Sequence, residues 1–224
     1  MQARLRRFVD DRTSMLAAIS HDLMTPISRL RLRAEALPAG EDRARMLADL
    51  DLMDRMVAAT LDFARDDVAA ERRQRLDLAS LVQAICDECG ADESDGVERA
   101  RYLGPDYLEI VAAPLALSRA LRNVVENAVK YGGRAEVVLG LGSAGAEIAV
   151  CDAGPGIPEA ELDRVFEPFY RLDRARDAGG SGLGLAIARN VLRAHGGEIS
   201  LENLPGGGLR ARLPLPLSPA GRVS

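Results

Sequence analysis

The chain has 224 residues, 47% hydrophobic and 28% charged, with a formal net charge of −5. That balance belongs to a globular protein of one domain or two small ones, and it argues against a disordered chain or a protein held to nucleic acid by phosphate contacts. Aromatic residues make up 4% and tryptophan is absent, so a base-stacking platform is not expected either. No apolar run approaches the ~18–20 residues needed to cross a bilayer. Three cysteines, Cys86, Cys89 and Cys151, cannot all pair with one another and suit a reducing compartment. With two histidines, His21 and His195, a three-histidine metal centre is excluded, and Lys130 is the one lysine among 29 basic residues.

The first third predicts two long helices. Leu16, Ile19, Leu23, Ile27, Leu30, Ala34 and Leu37 recur at spacings of three and four, up to the breaker Pro38-Ala39-Gly40. Met46, Leu50, Met53, Val57, Thr60 and Ala64 then form a heptad-like seam. A short break between two such segments predicts a helical hairpin, and two helices alone cannot cover their seams, so a second copy completing a four-helix bundle is expected. The charged run from Arg65 to Arg75 reads as a solvated linker. Beyond it, Leu78–Cys89, Leu115–Tyr131 and Leu183–Ala194 carry helical patterns. Tyr107–Ala112, Ala135–Leu141, Ala146–Cys151, Glu198–Leu201 and Leu209–Leu213 read as strands, the last two closing around Pro205-Gly206-Gly207-Gly208. Strand pairs joined by short turns, with helices between, predict an α+β sandwich with a mixed sheet. The tail from Ser218 to Ser224 is expected to be loose.

Four constellations carry chemistry. In Ser20-His21-Asp22-Leu23-Met24-Thr25-Pro26, His21 lies two residues from both Ile19 and Leu23, so it points away from the seam toward water. An exposed neutral imidazole is nucleophilic; Asp22 beside it can orient the ring, and Thr25 lies one turn on. Pro26 removes a backbone donor and predicts a bend. On the 115–131 helix, Asn123, Asn127 and Lys130 form a polar stripe, where amide oxygens suit magnesium and the ammonium suits phosphate. Asp152-Ala153-Gly154-Pro155-Gly156 follows a strand; its carboxylate can accept from an exocyclic amine. Gly179-Gly180-Ser181-Gly182-Leu183-Gly184 opens a helix and offers N–H groups to a phosphate. Between these last two, Phe166-Glu167-Pro168-Phe169-Tyr170 starts a lid with two aromatic anchors, both expected to be buried. Cys86 and Cys89 have redox-like spacing without a partner pair, and His195 at a helix end is expected to meet terminal carbonyls.

In this order and spacing the segments resemble the boxes of a bacterial two-component sensor histidine kinase of the osmosensor type, over nearly the whole chain. Ser20–Pro26 is similar to the H-box, Asn123–Tyr131 to the N-box, Asp152–Gly156 and Gly180–Gly184 to the two glycine boxes, and Phe166–Tyr170 to the F-box. Met24 departs from the arginine often found there.

The resemblance implies a dimerisation and histidine phosphotransfer hairpin over residues 1–66, a linker over 67–75, an ATP-binding domain of the GHKL two-layer α/β sandwich type over 76–217, and a tail. It implies that His21 takes the γ-phosphoryl group of ATP, with Asp22 as base or hydrogen-bond partner and Thr25 serving dephosphorylation of the regulator. It also implies that Asn127 ligates Mg2+ with support from Asn123, that Lys130 contacts phosphate, and that Tyr131 closes the same box. Asp152 would accept from adenine, Gly154 and Gly156 would give the base room, and Gly180, Ser181, Gly182, Leu183 and Gly184 would cradle the phosphates. The implied partners are a second copy and a response regulator receiver domain. The implied setting is cytoplasmic, with membrane attachment through a sensor region of a parent protein in the bacterial inner membrane. The rival readings are a GHKL-type ATPase, for which Glu126 beside Asn127 supplies a carboxylate, and a catalytically silent dimeric scaffold.

Overall fold

The computed structural model describes residues 22–64, 71–91, 98–142, 145–172 and 181–217. The chain divides into two compact units, Met1–Asp66 with Arg171–Leu183, and Asp67–Tyr170 with Gly184–Ser224.

In the first unit, helix α1 (residues 22–35) and helix α2 (Glu41–Ala64) flank the Pro38–Gly40 break. Ile27 and Ala34 of α1 pack with Leu50 of α2 in a buried cluster, with Leu47 and Val57 against it. Arg31 bridges two carboxylates of the facing helix, Asp51 at 2.6 Å and Asp54 at 2.5 Å, and these bonds raise its pKa further. The seam divides at heptad spacing. Ile27 and Ala34 are covered within the chain, whereas Leu23, Leu30 and Leu37, with Met46 and Met53 of α2, are exposed in it.

The second unit is the α+β sandwich. A five-stranded mixed sheet runs in the order β2 (Ala100–Leu103), β4 (Ala135–Gly142), β5 (Gly145–Asp152), β7 (Leu209–Pro216), β6 (Ser200–Asn203). β2 and β4 are parallel and the other neighbours antiparallel. Period-two patterning places Val137 and Leu139, Ile148 and Val150, and Leu213 and Leu215 on one buried face. Against that layer lie helices α3 (Leu78–Gly90), α4 (Pro114–Gly132) and α5 (Gly184–Ala194). A small antiparallel pair, β1 (Gln74–Asp77) with β3 (Glu109–Ala112), stands apart from the main sheet.

The solvated-linker expectation fails at its C-terminal end. Gln74 and Arg75 are strand residues of β1, held in register by Ala112 and Val111. Glu71 caps α4: its carboxylate accepts from the N–H groups of Leu115 at 2.8 Å and Ala116 at 2.9 Å. The helix needs this, because its own N-cap residue, Ala113, provides no side-chain acceptor. Arg73 donates to the carbonyl of Ala194, at the other end of the neighbouring helix α5. His195 is buried; its Nδ1 lies 2.8 Å from the Val191 carbonyl and its Nε2 accepts from the Ala113 N–H at 3.0 Å. These two bonds define a neutral ring with the proton on Nδ1, and they lock the end of α5 to the start of α4.

Candidate functional site

The ends of α4 and β5 build the site in the second unit. Leu117, Leu121, Val124, Val125 and Ala128 bury one face of α4, which leaves Asn123, Asn127 and Lys130 on the other. The helix stops at Gly133, whose φ of 75° lets its N–H close on the Val129 carbonyl at 2.8 Å. Lys130 holds its ammonium 5.1 Å from the centre of the Tyr131 ring. Asn123 is the deepest of the stripe. A side chain on Gly184, the first residue of α5, would come within 3.4 Å of its Oδ1, and its Nδ2 is buried with no hydrogen-bond partner among the described residues. An unmet buried donor costs roughly 1–3 kcal/mol, so this amide suits an acceptor brought in from outside, such as a phosphate oxygen.

Asp152 ends β5 directly against the end of α4. A side chain at Gly132 would sit 2.5 Å from its Cβ. Its Oδ1 accepts from the N–H groups of Gly154 at 2.8 Å and Leu209 at 3.2 Å. Oδ2 takes no hydrogen bond from the described residues and is left as the acceptor of the site. The donor set fits the groups the sequence points to: amide oxygens and an ammonium for a metal-bound polyphosphate, a carboxylate oxygen for an amino group.

The glycines of the loop after β5 sit against the protein's own atoms, and one expectation of burial is corrected. The space that side chains at Gly154 and Gly156 would fill belongs to the protein itself. At Gly154 the Tyr131 carbonyl lies 2.8 Å from such a Cβ, and at Gly156 the Asn203 Oδ1 lies 2.4 Å away. These glycines therefore allow the loop to pack on its own domain. Of the two aromatic anchors, Phe166 is buried, with the Arg189 guanidinium 4.8 Å from its ring centre, but Phe169 is 58% exposed. Its φ of 67° turns the ring outward, and Tyr170 packs under Arg164 with its hydroxyl donating to Glu161.

The remaining expected residues lie elsewhere. Asp22 and Thr25 are exposed on α1 of the first unit. Ser181, Gly182 and Leu183 are grouped with that unit too, where the Leu183 N–H donates to the Ser181 Oγ at 3.3 Å and Gly182 has a φ of 72°. His21 and Gly180 lie outside the described residues. Two contributors carried no sequence signal, Gly132 and Asn203, and Gly208 is legible in the sequence only as part of a turn; each engages the 152–157 loop. Among the described residues no cluster of three or more metal-ligating side chains occurs, and the Cys86 and Cys89 thiols are pushed by burial to about 12 and about 11, which suits packing rather than redox chemistry.

Two family models match the chain: "His Kinase A (phospho-acceptor) domain" over residues 11–68, and "Histidine kinase-, DNA gyrase B-, and HSP90-like ATPase" over residues 112–219. Among curated proteins, the sensor histidine kinase GtrS of Pseudomonas aeruginosa is 40% identical over 216 residues, covering 96% of this chain and 44% of that protein. The signal transduction histidine-protein kinase/phosphatase MprB of a Mycobacterium species is 32% identical, covering 97% of this chain and 47% of that protein. The chain thus spans about half the length of the curated relatives it matches. Among solved structures, the ATP-binding domain of PrrB from Mycobacterium tuberculosis is 32% identical with a TM-score of 0.52, over 65% of this chain and 98% of that one.

Proposed function

This chain belongs to the sensor histidine kinase family, as a phospho-acceptor hairpin followed by the family's ATP-binding domain, and from that premise we propose that it phosphorylates His21 from ATP and passes the phosphoryl group to an aspartate of a response regulator. The observation that supports the reading most is the meeting of Asp152, with one carboxylate oxygen tied down and one left to accept, and the end of the helix that carries Asn123, Asn127 and Lys130.

In this reading the Asp152 Oδ2 accepts from the amino group of the adenine, and a guanine, with a carbonyl at that position, would face it acceptor to acceptor. Lys130 adds positive charge beside the phosphates, and the Asn123 Nδ2 gains the acceptor it lacks among the described residues. Asn127 would hold Mg2+ through its amide oxygen; the ion, when bound, spreads the charge of the transferring phosphoryl group. Gly180, Ser181, Gly182, Leu183 and Gly184 would present N–H groups to the phosphates, with Tyr131 at the edge of the same site. His21 would attack the γ-phosphorus through a ring nitrogen while Asp22 orients the imidazole, so that the P–N bond forms as the bond to ADP breaks. Thr25 would place a water for hydrolysis of the regulator's aspartyl phosphate, a role in keeping with the kinase/phosphatase name of MprB.

The exposed half of the hairpin seam, Leu23, Leu30, Met46 and Met53, supports a homodimer in which a second copy covers it. Among the described residues no helix is long and apolar enough to cross a membrane. The location proposed for this segment is cytoplasmic, within a parent protein anchored in the bacterial inner membrane.

The test is uptake of γ-labelled phosphate in the presence of Mg2+. The wild-type chain takes up label, and Asp152→Asn and Asn127→Ala lose most of it. Undiminished labelling in both variants would remove the reading.

A further inference from the structure

The loop that follows β5 is held from a distance by the hairpin of β6 and β7. Residues 153–158 form neither helix nor strand, so their backbone groups have no ladder of their own. At Ile157 both groups are met by one side chain. The Asn203 Oδ1 accepts from the Ile157 N–H at 2.8 Å, and the Asn203 Nδ2 donates to the Ile157 carbonyl at 2.7 Å. A carboxamide that pairs this way stands in for a neighbouring strand, and its oxygen and nitrogen are distinguished by their partners. The fit is matched on the other side: Gly156 has a φ of 68°, and any Cβ there would collide with the Asn203 Oδ1. The same hairpin takes hold twice more. The Gly208 N–H donates to the Gly154 carbonyl at 2.9 Å, and the Leu209 N–H donates to the Asp152 Oδ1 at 3.2 Å.

We propose that Asn203 is a positioning residue for nucleotide binding: it sets the conformation of the 152–157 loop, and through it the orientation of the Asp152 carboxylate that receives the base. The inference rests on the nucleotide reading above and adds to it a residue 46 positions beyond the loop it holds. In this role Asn203 would hold the loop without touching the base or the phosphates. Its effect falls on the affinity for ATP and not on the transfer step once the site is filled. Loss of both hydrogen bonds frees the loop, and the expected cost is about tenfold in affinity.

The experiment uses the full chain with ATP and Mg2+ and follows His21 labelling across ATP concentrations, with binding measured by calorimetry. Asn203→Ala is expected to raise KM and Kd about tenfold, with the wild-type rate regained at saturating ATP. Asn203→Asp keeps size and the acceptor for Ile157 N–H but faces the Ile157 carbonyl with a second acceptor, so it shifts KM in the same direction without a cavity. Unchanged KM in both variants, or a rate that stays low at saturating ATP with KM unmoved, overturns the proposal. If the wild-type chain binds no ATP, the nucleotide reading itself fails and this inference falls with it.

Discussion

Replacing Glu71 with alanine removes the carboxylate that caps the first turn of α4. Pro114 has no N–H, so the start of α4 leaves three N–H groups to be met; the carboxylate holds two of them, at 2.8 and 2.9 Å, His195 takes the third, and the charge faces the positive end of the helix dipole. Loss of an N-cap costs about 0.5–2 kcal/mol, and the doubled, charge-assisted contact argues for the upper half of that range. Partial solvent exposure of Glu71 holds it there rather than above. For a domain of this size, roughly 1–2 kcal/mol lowers the melting temperature by about 2–8 °C. Glu71→Gln keeps the shape and one acceptor but loses the charge, and its loss should be about half as large. Thermal unfolding followed by circular dichroism on the three proteins is the assay. Equal melting temperatures would refute the reasoning.

Gly208→Ala should be more severe, because the new Cβ would lie 2.2 Å from the Asp152 carbonyl oxygen at a φ of 100°; a drop of about 2–4 kcal/mol in a urea titration is expected, with loss of ATP binding. The Cys86 and Cys89 thiols have pKa values raised by burial from 9.0 to about 12 and about 11, so they favour the folded state below pH 9 and that contribution is lost as the pH rises through 11 to 12. The urea midpoint should therefore hold steady to about pH 9 and then fall, and iodoacetamide at pH 8 should leave native Cys86 unmodified. Thr25→Ala should keep ATP-dependent labelling of the chain but lose most of its regulator phosphatase activity; undiminished dephosphorylation of a phosphorylated receiver domain would contradict the role given to Thr25.

What could be read from the sequence was whatever local patterning controls. The breaker at Pro38–Gly40, the amphipathic stripe of α4 and the alternation in β4 and β5 each set their own element, and the structure differs from these expectations by a residue or two at the ends. The hairpin's seven-residue pattern was legible, but not which half of it one chain can cover alone. β1 and β2 were not foreseen. Each is four residues long, and Gln74-Arg75-Leu76-Asp77 sits in a charged run; only the partner strand β3 makes a strand of it. The expected strand at Glu198–Leu201 begins two residues later, at Ser200, because Glu198 instead pairs with Arg189 and Arg193 of α5. The roles of Glu71 and Asn203 depend on partners 44 and 46 residues away and leave no periodic trace. Likewise, Phe169 looked like core by type, and a positive φ that no neighbouring residue announces turned it outward.

The most direct measurement is γ-labelled ATP incubation of the wild-type chain beside His21→Gln, with the bound label tested for stability in acid and in base. The account predicts label on the wild type alone, lost in acid and retained in base, as a phosphohistidine requires. Equal, steady ATP turnover in both proteins without stable label would contradict it and place the chain among the ATPases that share its nucleotide-binding fold.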